Sequence, residues 1–120
     1  MANGNRAALD GQIAIVTGGS RGYGYGIAQA LRAAGATVWI TGRDEKALKA
    51  VAGELGVERL AADVTKAEDW DRVFAAVMER HGRLDILVNN AGGGIRIAPF
   101  SEQTDESMAA LLEPFVGHRY

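Results

Sequence analysis

The chain has 120 residues, 48% of them hydrophobic and 23% charged, with a formal net charge of −2. That length limits it to a single domain with a core of its own, and the charge balance carries no electrostatic footprint for nucleic acid. The absence of cysteine excludes a disulfide framework, a thiolate zinc site and a catalytic thiol and fits a cytoplasmic setting, while no apolar run approaches the roughly 18 residues of a membrane span.

Residues 1–10 read as a polar, flexible lead-in. Residues 12–17 follow as a continuous, β-branched run suited to a strand buried on both faces. The glycine-rich turn Thr17-Gly18-Gly19-Ser20-Arg21-Gly22-Tyr23-Gly24 leads into a helical pattern over 25–34, with Ile27, Ala28 and Leu31 on one side and Gly35 as its stop. A second strand is predicted over 37–41. Asp44 then caps a helix whose Leu48, Val51 and Leu55 share a face and which ends at Gly56. A third strand spans 57–62 and closes on Asp63-Val64. Thr65 is the expected cap of the next helix, where Trp70, Val73, Phe74 and Val77 repeat at helical spacing up to Gly82. A fourth strand over 84–88 runs into Asn89-Asn90-Ala91-Gly92, followed by a loop through Pro99, a helix from about Ser101 and an atypical tail over 113–120 in which Pro114 breaks the helix.

Strands and helices therefore alternate throughout. The pattern predicts an α/β fold: a Rossmann-type doubly wound parallel sheet of about four strands, in the order 3-2-1-4, as one dinucleotide-binding domain over 1–120. The ligand crevice belongs between strands 1 and 4, where the strand order reverses.

The glycine turn sits between a strand and a helix start, the context in which such a turn cradles a diphosphate. Glycine lets the main chain approach the ligand, and the helix N-terminus offers unpaired N–H donors and the positive end of the dipole. No Gly-Lys-Ser/Thr follows, so the turn is not a P-loop. Asp63 is placed to accept from an adenine amino group, and the Val64 N–H to donate to the ring. At the end of strand 2 an acid is expected to hold the ribose 2′-hydroxyl, but Gly42 stands there, with Arg43 beside it and Arg21 inside the turn. Two guanidinium groups in place of one carboxylate favour the 2′-phosphate of NADP(H) over NAD(H).

The ordered motifs Thr17-Gly18-x-x-x-Gly22-x-Gly24, Asp63-Val64 and Asn89-Asn90-Ala91-Gly92 resemble those of the short-chain dehydrogenase/reductase family, over about residues 10–112. The resemblance implies hydride transfer between a nicotinamide dinucleotide and a carbonyl or alcohol, and assembly into dimers or tetramers. It implies a cofactor site lined by Gly18, Gly22 and Gly24, with Asp63 and Val64 at the adenine and Asn90, Ala91 and Gly92 at the nicotinamide ribose; Ser20, Arg21 and Tyr23 of the turn and Arg43 complete the expected cofactor-binding residues. Tyr23 replaces the family's usual isoleucine, so its ring is expected to line or crowd that site.

The family's catalytic serine and Tyr-x-x-x-Lys are missing. The tyrosines are Tyr23, Tyr25 and Tyr120, and none has a lysine four residues on; Phe115 stands where a structural asparagine is expected. No catalytic residue and no metal site is therefore assigned. His81 reads as a helix C-terminal cation, Glu68, Asp69, Asp71 and Glu79 as a solvated helix face, and the Met and Trp residues as core. The expectation is the cofactor-binding half of a longer oxidoreductase, inactive alone and self-associating through an exposed strand 4 edge and the last helix. The alternatives are a non-catalytic nucleotide-binding or interaction module completed by a partner subunit and a methyltransferase-like domain. The methyltransferase reading requires an acid at the end of strand 2, and Gly42 and Arg43 argue against it.

Overall fold

Alternation along the first strand decides the architecture. In the computed structural model, which describes residues 8–90 and the backbone of residues 96–99, β1 (Ile13–Thr17) is buried along its whole length. Ile13 and Ile15 face one layer, and Ala14 and Val16 the other. Two helices cover the second face. These are α1 (Gly22–Ala33), which brings Ala28, and α2 (Glu45–Leu55), which brings Leu48 and Val51; both pack onto Val38 and Ile40 of β2 (Thr37–Gly42). The first face is covered by α3 (Ala67–His81), whose Trp70, Val73 and Val77 meet Trp39 and Leu87. Burying both faces of a parallel strand in this way requires the near-continuous apolar run read from the sequence.

The sheet is completed by β3 (Glu58–Ala61), β4 (Ile86–Asn89) and β5 (Arg96–Pro99), in the order β3-β2-β1-β4-β5. The four parallel strands and their 3-2-1-4 order are as expected. The segment read as a loop through Pro99 instead forms β5, which pairs antiparallel with β4 from Ile86↔Pro99 to Asn89↔Arg96. The expected bare edge on β4 is thereby corrected, because β5 takes up its outward hydrogen bonds. A proline is compatible with such a strand only at an edge or an end, and Pro99 closes it.

The helix ends follow the backbone chemistry. Gly35 lies at φ 103° beyond α1, and the Gly35 and Ala36 N–H groups return to the carbonyls of Arg32 and Leu31, closing a Schellman motif. Asp44 caps α2 by accepting from Lys46 N and Ala47 N, while Gly56 and Gly82 end α2 and α3 in the left-handed region. Two predicted starts are corrected. The first turn of α1 begins at Gly22 rather than Tyr25, and the α3 cap position is Lys66, which makes no side-chain cap bond. Thr65 is drawn off by Asp63, to which its N–H and hydroxyl both donate, at 3.0 and 2.6 Å.

His81 lies in the last turn of α3, and the Trp39 indole N–H points to its Nε2 at 2.9 Å, the two rings meeting edge to face. Trp39 and Trp70 are core residues, but Met78 is 41% exposed, contrary to the reading of every methionine as core. No helix among the described residues is long and apolar enough to cross a membrane. The expectations for residues 1–7, 91–95 and 100–120, the last helix and its self-association among them, lie outside the described residues.

Candidate functional site

The site is built where the four parallel strands end. Beyond Thr17 the chain turns at Gly18, φ 66°, and the Gly18 and Gly19 N–H groups donate to the carbonyl of Thr41 at 2.9 and 3.3 Å. The turn is therefore pinned to the end of β2. It re-enters regular structure at Gly22, φ 60°, the first residue of α1. This helix start has no side-chain cap and no acid in its first turn, so its amide donors and dipole are left to an outside anion.

Gly24, the third residue of α1, is buried. A Cβ there would overlap the Gly18 carbonyl oxygen and lie 2.6 Å from Asn90 Nδ2. The helix thus rests directly on the turn, a closeness only glycine permits. The amide of Asn90 donates to the same Gly18 oxygen at 3.3 Å. Thr17 ties the other side: its hydroxyl donates to Asn89 Oδ1 and accepts from Asn90 N, both at 2.9 Å. The ends of β1 and β4 are locked together directly beneath the crevice. Thr17 opens the glycine motif but is not among the expected site residues; the signal for its role is a hydroxyl closing an apolar strand opposite paired asparagines.

An open cleft of about 920 Å³ lies above these ends, and Gly18, Ser20, Arg21, Gly42, Arg43, Asp63 and Val64 line it with Asp44, Glu45 and Asn89. Six of the predicted residues thus meet at one surface: Gly18, Ser20, Arg21, Arg43, Asp63 and Val64. Gly22, Gly24 and Asn90 form the supporting turn behind it. Tyr23 is 78% exposed and is not among the lining residues. Ala91 and Gly92 lie outside the described residues.

Two acids, Asp44 and Glu45, stand near Arg43 on the cleft wall, and both are engaged. The Asp44 carboxylate accepts the first amides of α2, and Glu45 pairs with Arg59 at 2.8 Å. Asp63 is held to the acid side of the ordinary carboxylate range, chiefly by the Thr65 hydroxyl and then by the Thr65 N–H; burial opposes this, and Arg43 and Lys66 each add a weaker attraction. It therefore stays an anion and a hydrogen-bond acceptor at neutral pH. Nothing in the packing forbids a side chain at position 42. A Cβ there would meet Leu48 at 3.5 Å and Ser20 at 3.9 Å, ordinary contacts, so the missing acid is not imposed by the backbone.

A nucleotide fits what these residues offer around one cleft: main-chain donors without side-chain bulk, two cations and a fixed acceptor. The family profile described as short chain dehydrogenase matches residues 12–114. The chain belongs to the short-chain dehydrogenase family. It is 41% identical over 114 residues to an L-fucose dehydrogenase from Oryctolagus cuniculus, covering 94% of this chain and 39% of that protein. Among solved structures, a metagenomic short-chain oxidoreductase in complex with NADP superposes with a TM-score of 0.68 at 43% identity, covering 72% of this chain and 41% of the other. The Pseudomonas aeruginosa RhlG/NADP active-site complex gives 0.66 at 46% identity, covering 70% and 36%. The chain spans about two fifths of the length of the curated relatives it matches first, 39% and 44% of two of them.

Proposed function

We propose that this chain forms the nucleotide site of an NADP(H)-preferring oxidoreductase of this family, one that moves a hydride between the dinucleotide and a carbonyl or alcohol. The bound dinucleotide supplies the hydride donor or acceptor. The residues here bind and orient it. The Gly18–Gly22 turn and the uncapped start of α1 donate to the diphosphate, Asp63 and Val64 face the adenine, and Asn90, Ala91 and Gly92 border the nicotinamide ribose. The observation that carries the reading is the meeting of Arg21 and Arg43 on one cleft whose β2 end holds Gly42 instead of an acid, with both neighbouring carboxylates already engaged. Two similar proteins crystallised with NADP lend further support.

Calorimetric titration with NADPH, NADH and S-adenosylmethionine tests it. NADPH is expected to bind best and S-adenosylmethionine not at all. Arg43→Asp should swing preference toward NADH, and an unchanged ratio rejects Arg43 as the discriminator. The 120 residues contain no Tyr-x-x-x-Lys, so the chain by itself is expected to bind cofactor weakly and turn nothing over. A second reading is a non-catalytic nucleotide module completed by a partner subunit. Hydride transfer appearing only on mixing with such a subunit distinguishes it. A cysteine-free composition supports a cytoplasmic setting for either.

A further inference from the structure

Asp69 read as part of a solvated helix face, and the structure turns it inward. It is the third residue of α3, and its Oδ2 accepts the Asp63 N–H at 2.7 Å. That amide needs a side-chain partner, because β2 ends at Gly42, whose carbonyl is already taken by Ala62 N at 2.8 Å. The other carboxylate oxygen of Asp69 lies 3.7 Å from Arg72 Nη2, and this nitrogen donates to the carbonyl of Ala61 at 2.7 Å. One turn of α3 therefore grips the main chain at Ala61 and again at Asp63, where the chain has left the sheet to wall the cleft. A charge-assisted bond of this length fixes the peptide that carries both the Asp63 carboxylate and the path to the Val64 N–H.

We infer that Asp69 is a positioning residue for the base of the dinucleotide, aligning Asp63 and Val64 through the Asp63 amide. The inference rests on the nucleotide reading above and assigns Asp69 no contact with the ligand. It separates two acids that the sequence does not: Glu68, exposed in the same helical turn, has no comparable task.

The test compares affinities for NADPH and for its hypoxanthine analogue, in which oxygen replaces the adenine 6-amino group, in the wild-type chain, Asp69→Asn and Asp69→Leu. The wild type should prefer NADPH. Asp69→Asn keeps an acceptor oxygen and should keep most of that preference. Asp69→Leu should bind NADPH about tenfold more weakly and bring the ratio of the two ligands close to one, as expected for loss of a charge-assisted hydrogen bond. Equal weakening toward both ligands, or an unchanged ratio, overturns the inference while leaving the nucleotide reading in place. Failure of the wild type to bind either ligand overturns the nucleotide reading and this inference with it. Should Asp69→Leu not fold, Asp69→Asn decides by NMR: the Asp63 amide proton must move upfield as its acceptor loses charge, and an unmoved resonance overturns the assignment.

Discussion

The close seat of α1 on the glycine turn makes one substitution harmful and the same substitution two residues on beneficial. In Gly24→Ala the new methyl overlaps the Gly18 carbonyl oxygen and lies 2.6 Å from Asn90 Nδ2 and 2.8 Å from the Gly18 carbonyl carbon. Two of these are backbone atoms, so relief requires α1 or the turn to shift. Overpacking of this kind costs about 1–3 kcal/mol. Displacing Asn90 forfeits its bond to Gly18, about 1 kcal/mol more, and alanine returns about 1 kcal/mol as a better helix former. The net loss is about 2 kcal/mol, or roughly 10 °C in melting temperature for a domain of this size. At Gly26, exposed on the same helix, a Cβ meets nothing within 4 Å. Gly26→Ala should therefore stabilise by about 0.5–1 kcal/mol and raise the melting temperature by a few degrees. Thermal and urea unfolding followed by circular dichroism would read both. A Gly24→Ala variant melting within about 2 °C of the wild type, or a Gly26→Ala variant melting lower, would refute the claim that helix contact, and not glycine flexibility, fixes position 24.

Thr17→Val keeps the shape of a buried side chain but removes both its donor and its acceptor at the β1–β4 junction; it should cost about 1–3 kcal/mol by urea unfolding, since Asn90 N–H is left without its partner, and weaken NADPH binding as well. The lowered pKa of Asp63 has a definite sign: the stability it contributes is complete above the ordinary carboxylate range and is lost only as pH falls through its depressed native value. Thr65→Ala removes the hydroxyl that depresses it most, so a carboxyl-carbon NMR titration should show the Asp63 midpoint rising toward the ordinary value; a midpoint that stays put would show that the hydroxyl is not the main cause.

The core was legible because its signals are local and repeated. Ile13 to Val16 cannot alternate polar and apolar, so a strand covered on both sides followed at once, and Leu48, Val51, Trp70, Val73 and Val77 recur at helical spacing. The polar walls were legible as an assembly of motifs, since Gly18, Arg21, Arg43 and Asp63 belong to loops that a parallel sheet must bring to one end. What escaped depends on partners distant in sequence. β5 is four residues ending in proline, too short for a periodic signal, and it exists through its pairing with β4. Thr65 satisfies the sequence rule for a cap, with Glu68 three residues on, but Asp63 competes for its hydroxyl at shorter range. Asp69 carries no sequence mark of facing inward, because its acceptor role arises only when β3 ends where α3 begins.

The far end of β1 has its own consequence. The N–H of Ile13 donates to the buried Asp85 carboxylate at 2.8 Å, Asp85 N–H returns to the Ile13 carbonyl at 2.9 Å, and Arg83 closes on the same carboxylate. Four residues later Thr17 engages Asn89 and Asn90. The two strands are thus indexed against each other at both extremities, and sliding one past the other by a single step would unfasten both catches together while turning every side chain to the wrong layer. A guanidinium on the underside of the molecule, far from any nucleotide, thereby helps calibrate the notch on top.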